Sequence, residues 1–423
     1  MQTIRGFRDI LPEQIRIWQK IEKEATGLFK AFGFEEIRIP VIEKTELFAR
    51  SIGETTDIVE KEMYTFADRK GDKLTLRPEA TASIVRSYIQ HKMYAVDPVR
   101  KFYCIGPMFR RERPQKGRYR QFYQIDVEVF GVASAYIDSQ LIFLLNELFR
   151  RLGLTGLSAH INSLGCSECR PGFQTTLLTL LESKKDQLCG NCLRRMNKNP
   201  LRILDCKSPG CKEAIADAPA TIDHLCLECS DHFKIVQSTL EKQGVDFKVD
   251  NTLVRGLDYY TRTAWEILTT SLGAQSAVAG GGRYDGLVRE LGGPETPGIG
   301  FAIGFDRLAE VMEQLEKAPD PDTVDLFIIA LGEAAMEKSY LWYSELNQAG
   351  IRTEMDFRGK SMKALMKRAD KLNAAQVLIV GENELERNAV VLRDMGTKTQ
   401  VSLAVDTLVE NLIRKITQSN ETG

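Results

Sequence analysis

Residues 109–122 read FRRERPQKGRYRQF. Six cations (Arg110, Arg111, Arg113, Lys116, Arg118 and Arg120) and one acid, Glu112, fill eleven positions, with Pro114 and Gly117 in the middle. The flanking stretches, RKFYCIGPMFRRE before and RQFYQIDVEVFG after, have the composition and period of strands. A strand–loop–strand hairpin with a cationic tip follows. Arginine offers planar, permanently charged, bidentate donors, which suits phosphate and RNA. Tyr119 and Phe122 add rings able to stack on a base. A solvated basic turn is the plainer reading of the charge alone.

Working outward, KLTLRPE, LSAHIN, TAWEILT and PGIGFAIG read as further strands, expected with the hairpin in one antiparallel sheet. A helix is predicted after Leu11-Pro12, with Ile15, Trp18, Ile21, Ala25, Leu28, Phe29 and Phe32 stepping by three and four, and Gly33 at its end. FEEIRIPVIE alternates like a strand but contains Pro40, which cannot donate to a ladder, so it reads as an edge or bent strand and a dimer seam. SQLIFLLNELFRRLG is an amphipathic helix. From Cys166 to Lys242 the rhythm breaks into cysteine-rich helix and loop, an insertion. QLEKAPDPDTV, with three acids and two prolines, is a linker. Beyond it strand and helix alternate, which predicts a separate α/β domain with a mostly parallel sheet.

Four more segments carry chemistry. LVRGLDYYTRT (Leu253–Thr263) sets an Arg, an Asp and two Tyr beside a glycine; in a strand Tyr259 and Tyr260 would face opposite sides. AGGGRYDGLV has Gly280, Gly281 and Gly282 in a row, which lets backbone approach a ligand, although glycine clusters mostly mark turns. PGIGFAIGFDRLAEVM runs from strand to helix with Arg307 in the first turn, where the helix dipole disfavours a cation and a ligand-facing role gains weight. In LTLRPEATASIVRSY, Pro78-Glu79-Ala80-Thr81 opens a helix, and capping competes with ligand binding as the reason for Glu79.

Composition narrows the class. At 423 residues, 43% hydrophobic and 27% charged, the chain suits two or three soluble domains. The opening MQTIRGFRDI has no apolar run of the secretory kind, and nowhere do 18 apolar residues follow one another, so no membrane span and a cytoplasmic location are expected. Net charge is −1, so any nucleic acid must be held by local basic patches.

Together the segments resemble one family. The arginine-rich hairpin is similar to the second signature motif of class II aminoacyl-tRNA synthetases, GIGFAIGFDRL to the third, and the helix with the Pro40 strand to the first. LVRGLDYYTRT with AGGGRYDGL singles out the histidyl-tRNA synthetases. The resemblance implies an α+β catalytic core with an antiparallel sheet over residues 1–318, interrupted by a mostly helical insertion at 166–242. A linker at 319–324 and an α/β anticodon-binding domain at 325–423 would follow. It implies a cytoplasmic homodimer that joins histidine, ATP (with Mg²⁺) and tRNA(His). Arg110 and Glu112 would hold the α-phosphate and adenine side of ATP, Arg118 and Arg307 the γ-phosphate, and Phe122 the adenine ring. Arg255 would meet the α-phosphate and the substrate carboxylate, making Arg255, Arg110 and Arg307 the catalytic set. Glu79, Thr81 and Gln124 match positions around the α-amino and carboxylate groups, and Glu128, Tyr260 and Tyr284 those around the imidazole. Arg113 and Gln115 would read the tRNA acceptor end, and Lys360, Lys363, Lys367 and Lys371 form a basic stripe in the C-terminal domain. The four histidines, His91, His160, His224 and His232, fall outside these motifs and read as structural or surface. A catalytically inactive relative serving histidine biosynthesis would lack the C-terminal domain and have eroded motifs; both are intact here.

Eight of nine cysteines lie within 64 residues. Cys166 and Cys169 are followed after 19 residues by Cys189 and Cys192, a spacing within the range of a four-cysteine Zn²⁺ site. Cys206, Cys211, Cys226 and Cys229 would form a second set. The resemblance implies no zinc, and buried thiols can serve as small hydrophobes. Both readings stay open on sequence.

Overall fold

The computed structural model describes residues 1–422 except 54, 55, 57, 114–116, 197, 198, 258, 270–276 and 316–322, with backbone alone for 419–422. Two compact units divide the chain, Met1–Pro319 and Asp320–Gly423. Of the expected linker, residues 319–322 lie outside the described residues.

An eight-stranded sheet organises the first unit, in the order Glu35–Glu36, Arg100–Phe109, Gln121–Phe130, Gly298–Gly304, Ala277–Arg283, Thr261–Thr269, Leu157–Ser163, Phe247–Val249. Interior neighbours are antiparallel, and the short strand at each edge runs parallel to its neighbour. Strand Gln121–Phe130 shows why the sheet has two different faces. Tyr123, Ile125, Val127 and Val129 alternate with Phe122, Gln124, Asp126 and Glu128, and a period of two sends the sets to opposite sides. The apolar set joins a core with helices Pro12–Ala31, Ala135–Arg151, Leu227–Lys242 and Phe305–Gln314, where Trp18 stacks on Phe305 at 4.3 Å between centroids. Each fully buried side chain of the Ile125 or Val127 kind contributes about 1.5–3 kcal/mol. Asp126 and Glu128 are equally buried on the other face. A carboxyl is unfavourable to bury whether it stays ionised or is forced to take up a proton, so stability does not explain that row.

The polar face is covered by helix Thr81–Gln90 and by the cysteine-rich segment, whose apolar residues Phe173, Leu177, Leu181, Met196 and Ile203 join one second core. Helix Leu227–Lys242 packs with the first core through Phe233, Val236 and Leu240, so this end of the expected insertion belongs with the core and not with the polar face.

One expectation about strands needs correction. Lys73–Leu76, the KLTL of KLTLRPE, is not in the large sheet; it pairs with Ile42–Lys44 and Tyr64–Ala67 in a separate three-stranded sheet. The Arg77 guanidinium explains the break: it is buried and donates to the carbonyls of Ile39, Pro40 and Pro107, joining the two sheets as a bracket. FEEIRIPVIE splits at the proline, with Glu35–Glu36 at the edge of the large sheet and Ile42–Lys44 in the small one. The glycine run is no turn: Gly280–Gly282 lie mid-strand.

The cysteine grouping is also corrected. The thiols of Cys166, Cys169, Cys226 and Cys229 converge, and separately those of Cys189, Cys192, Cys206 and Cys211. Cys166 and Cys169 are therefore not partners of Cys189 and Cys192, because the chain closes the inner four before it returns to the outer pair.

The second unit has a five-stranded sheet, Thr353–Met355, Leu326–Leu331, Gln376–Gly381, Ala389–Asp394, Gln400–Ala404. Its first three strands are parallel and its last two antiparallel, so the expected α/β domain has a mixed sheet. Helix Met362–Lys371 buries Leu365 and Ala369 and exposes Lys363, Lys367 and Lys371; Lys360 precedes it.

Candidate active site

The floor of the site is the polar face of the large sheet, and glycine makes the room in it. Gly300 pairs with Glu128, and a Cβ there would stand 1.7 Å from Glu128 Oε2. At Gly298 a Cβ would meet the Tyr284 ring at 2.4 Å, at Gly282 the Tyr260 ring at 2.7 Å, and at Gly280 the Arg255 guanidinium at 2.4 Å. The GIG and GGG runs are thus cradles for three site residues and one cation. Gly281 points the other way, against Trp265 and Phe301.

Above one end of this floor is a cleft of about 250 Å³ lined by Arg110, Glu112, Arg118, Phe122, Gln124, Arg255 and Arg307 among others. Arg110 comes from the end of its strand, donates to the Pro78 carbonyl at 2.9 Å and lies 5.2 Å over the Phe122 ring. Glu112 pairs with Arg118 at 3.0 Å and is 3.9 Å from Arg110, spacing the two guanidiniums. Arg307, in the first turn of helix Phe305–Gln314, donates to the Ala277 carbonyl at 2.5 Å. Burial, and then the charge of Arg118, holds its pKa below the ordinary guanidinium value. Arg255 is pinned by Glu266 at 2.5 Å and lies over Tyr260 at 5.5 Å. Four arginines converge on this small volume, with Glu112 and Glu266 as the carboxylates paired to them, and give the cleft a cationic lining. Tyr119 is otherwise engaged, donating to Glu310 at 3.1 Å with Arg8 over its ring at 4.2 Å.

Deeper along the floor is a buried polar cluster. Thr81 donates to Glu128 Oε1 at 2.5 Å and the Tyr284 phenol donates to Glu128 Oε2. Burial pushes the Glu128 carboxyl up to about 8, against those two hydrogen bonds. Tyr259 packs between Tyr260 and Tyr284, with centroids 4.7 and 5.5 Å away. Glu79 caps helix Thr81–Gln90 by accepting from the Ala82 N–H at 3.0 Å, so the capping reading of this residue is correct for one oxygen. Its other oxygen, Oε2, is buried without a partner among the described residues, as is Gln124 Oε1. Buried acceptors left open in this way call for a donor, from an ordered water or from a ligand. Burial also raises the Glu79 carboxyl.

Glu79, Thr81, Gln124, Glu128, Tyr260 and Tyr284 thus adjoin the cleft of Arg110, Glu112, Arg118, Phe122, Arg255 and Arg307. Arg113 is exposed, and Gln115 lies outside the described residues, as does Asp258. Sequence reading missed Asp126, whose carboxyl is raised well above its ordinary range by burial, then by Glu128 and Glu79. The strand alternation Gln124, Asp126, Glu128 could have found it. Glu266, the partner of Arg255, was missed as well; it is one more residue of TAWEILT until the sheet brings it beside Gly280. Among the histidines, His232 is buried against Asp138 at 2.8 Å, and Asp138 also binds the fully buried Arg283, so these groups hold structure behind the site.

The family model for histidyl-tRNA synthetase matches residues 6–308 and that for an anticodon-binding domain matches residues 325–415. The histidine–tRNA ligase of Desulforapulum autotrophicum is 68% identical over 99% of this chain and 98% of its own length. That of Desulfatibacillum aliphaticivorans is 56% identical over 99% of this chain and its entire length. The crystal structure of apo histidyl-tRNA synthetase from S. aureus superposes with a TM-score of 0.83 at 35% identity, covering 98% of this chain and 100% of that one. With a cationic cleft, an adjoining buried polar pocket and both family matches in place, the chain belongs to the histidyl-tRNA synthetase family.

Proposed function

We propose that this chain is a histidine–tRNA ligase in which the arginine cleft binds ATP and the Glu128 pocket selects histidine. The observation that carries the reading is the adjacency of the two: four arginines in a cleft, opening beside buried acceptors and two tyrosines. A histidine carboxylate is already a nucleophile at neutral pH, so attack on the α-phosphate of ATP needs no general base. It needs alignment and cancellation of negative charge in the transition state. Arg255 and Arg110 serve the α-phosphate, Arg118 and Arg307 the distal phosphates, and Phe122 the adenine ring. The bond formed is carboxylate oxygen to α-phosphorus, the bond broken releases pyrophosphate, and the tRNA 3′ hydroxyl then takes the acyl group and releases AMP. Mg²⁺ would arrive on the phosphates and add charge neutralisation; the oxygen donors at hand are Glu112 and Glu266, each already paired with an arginine, which suits an ion held mainly by its nucleotide.

Selection rests on the pocket. The unpartnered oxygens of Glu79 and Gln124 would take the α-amino group, with Thr81 at their side, and Glu128 with Tyr260 or Tyr284 would pair the donor and acceptor of an imidazole. A side chain lacking those groups would leave buried polar atoms unsatisfied, which discriminates by about 10⁴–10⁵. The second unit would bind the anticodon, and Arg113 with Gln115 the acceptor end. Homodimerisation along the Pro40 edge, where Val41 and Ile42 are exposed, and a cytoplasmic location complete the reading. Among the described residues no helix is long and apolar enough to cross a membrane.

Amino-acid-dependent ATP–pyrophosphate exchange tests the proposal. Histidine alone of the twenty should support exchange, and tRNA(His) alone should be charged. Exchange driven by a different amino acid, with none for histidine, would overturn it.

A further inference from the structure

Eight cysteines form two closed sets of four, and nothing in the proposed reaction uses them. In the outer set, Cys166 and Cys169 follow strand Leu157–Ser163, and Cys226 and Cys229 open helix Leu227–Lys242. In the inner set, Cys189 and Cys192 flank the start of helix Gly190–Met196, and Cys206 and Cys211 lead into and lie within helix Pro209–Ala214. Within each set the four sulfurs lie within 4.8 Å of one another. Cys166 Sγ is 3.6 Å from Cys169 Sγ and 3.9 Å from Cys226 Sγ, and Cys189 Sγ is 3.9 Å from Cys206 Sγ. A tetrahedron with metal–sulfur bonds of about 2.3 Å has edges of about 3.8 Å. Disulfides need sulfurs at about 2.05 Å, so these are thiols arranged as ligands.

Both sets share further features of a metal centre. Each has two buried and two half-buried cysteines. In each, a backbone N–H from one pair donates to a sulfur of the other: Cys226 N to Cys169 Sγ and Cys189 N to Cys211 Sγ, both at 3.1 Å. Such bonds spread the charge of coordinated thiolates. Gly165, at φ +66°, lets the chain turn tightly into the first pair, since a Cβ there would stand 2.7 Å from Cys169 Cβ. The ninth cysteine, Cys104, lies in neither set and packs as a small apolar residue in the sheet. Apolar packing accounts for one such thiol; it gives no reason for four to converge twice.

The geometry points to two structural Zn²⁺ sites in this chain, Cys166/Cys169/Cys226/Cys229 at the root of the cysteine-rich segment and Cys189/Cys192/Cys206/Cys211 within it. Four thiolates in a closed tetrahedron with no position left for water fit a structural ion and not a catalytic one. The outer ion closes the root onto the sheet, where Leu164 and Gly165 exchange backbone hydrogen bonds with Arg262 at 2.7 and 2.9 Å. Between the inner pairs lies the turn Pro200–Ile203, whose Arg202 donates to the Arg255 carbonyl at 2.9 Å. The inner ion therefore holds one wall against the loop that carries Arg255.

Elemental analysis of the full-length protein, purified without chelators, should find two zinc per chain, and X-ray absorption should find four sulfurs at about 2.3 Å. Cys166→Ser with Cys226→Ser should lose one equivalent; Cys166→Ser with Cys189→Ser should lose both; Cys104→Ser should lose none. Less than about 0.2 zinc per folded chain, with thermal stability indifferent to chelator, overturns the sites. Iron with visible charge-transfer absorption overturns the choice of metal, and loss of one equivalent in Cys166→Ser with Cys189→Ser overturns the grouping. Should the serine variants fail to fold, the wild-type stoichiometry and sulfur shell decide the matter alone.

Discussion

At the scale of single residues, Arg255 and Glu128 are the ionisable groups on which the proposed roles are most directly tested. Arg255 lies against the floor with its charge opposed by Glu266 and its guanidinium over Tyr260. Arg255→Ala should reduce histidine-dependent pyrophosphate exchange by at least about 10²-fold while the protein stays folded, because it removes a charge partner of the transition state. Near-normal exchange would remove Arg255 from the mechanism. Glu128 allows a test by pH. Its carboxyl keeps its proton to about 8, whereas in the unfolded chain it ionises near the ordinary 4.5. Between those values the native state binds more protons, so this group's contribution to stability is full below about pH 4.5 and is lost as pH rises through 8. Glu128→Gln has no such titration. The wild type should lose more thermal stability than the variant between pH 5.5 and 8.5, and parallel curves would contradict the raised carboxyl. The same variant should raise the histidine KM at least about tenfold, roughly 1.4 kcal/mol of binding.

At the scale of elements, the glycine-bearing strands are the component least tolerant of change. In strand Gly298–Gly304 a methyl at Gly300 would meet Glu128 Oε2 at 1.7 Å and the Val127 carbonyl at 2.5 Å, and the latter belongs to the sheet backbone and cannot yield. Gly300→Ala should therefore displace Glu128 and raise the histidine KM at least about tenfold. Circular dichroism should show a retained fold, and an unaltered KM would mean that the floor is not the histidine pocket. The hairpin carries a separate proposal, contact with the tRNA acceptor end. Arg113 is exposed, whereas Arg110, Glu112 and Arg118 form the ion pairs beside the cleft. Arginine binds guanine O6 and N7 bidentately, so Arg113→Ala should raise the KM for tRNA and leave pyrophosphate exchange unchanged. An effect confined to exchange would refute a tRNA role.

At the scale of the molecule, the two units each have their own apolar cores: Leu326, Ile328, Trp342 and Leu378 are among those that build the second. A chain ending at Pro319 should fold, keep histidine-dependent exchange and charge tRNA(His) poorly. Charging equal to that of the full chain would show that the second unit does not read the tRNA.

The cationic half of the candidate site was legible from residue types in local runs, whereas its pocket residues came only from the family resemblance. Six cations in eleven residues and Arg307 in a helix first turn are both linear patterns. So was the change from the antiparallel core to a C-terminal α/β unit, since a change of period leaves a trace along the chain. Tertiary structure decided what depends on the path of the chain through space. It put Lys73–Leu76 in a small separate sheet, because the buried guanidinium of Arg77 bridges two sheets. It turned Gly280–Gly282 from a turn signal into a strand that cradles Arg255 and Tyr260, because a glycine's empty space has meaning only once its neighbour across the sheet is known. It regrouped the cysteines as well. A C-x₂-C pair can be read from spacing, but which pair meets which is settled by the fold, and here helices packed between the outer pairs bring Cys226 and Cys229 back to Cys166 and Cys169 across 56 intervening residues.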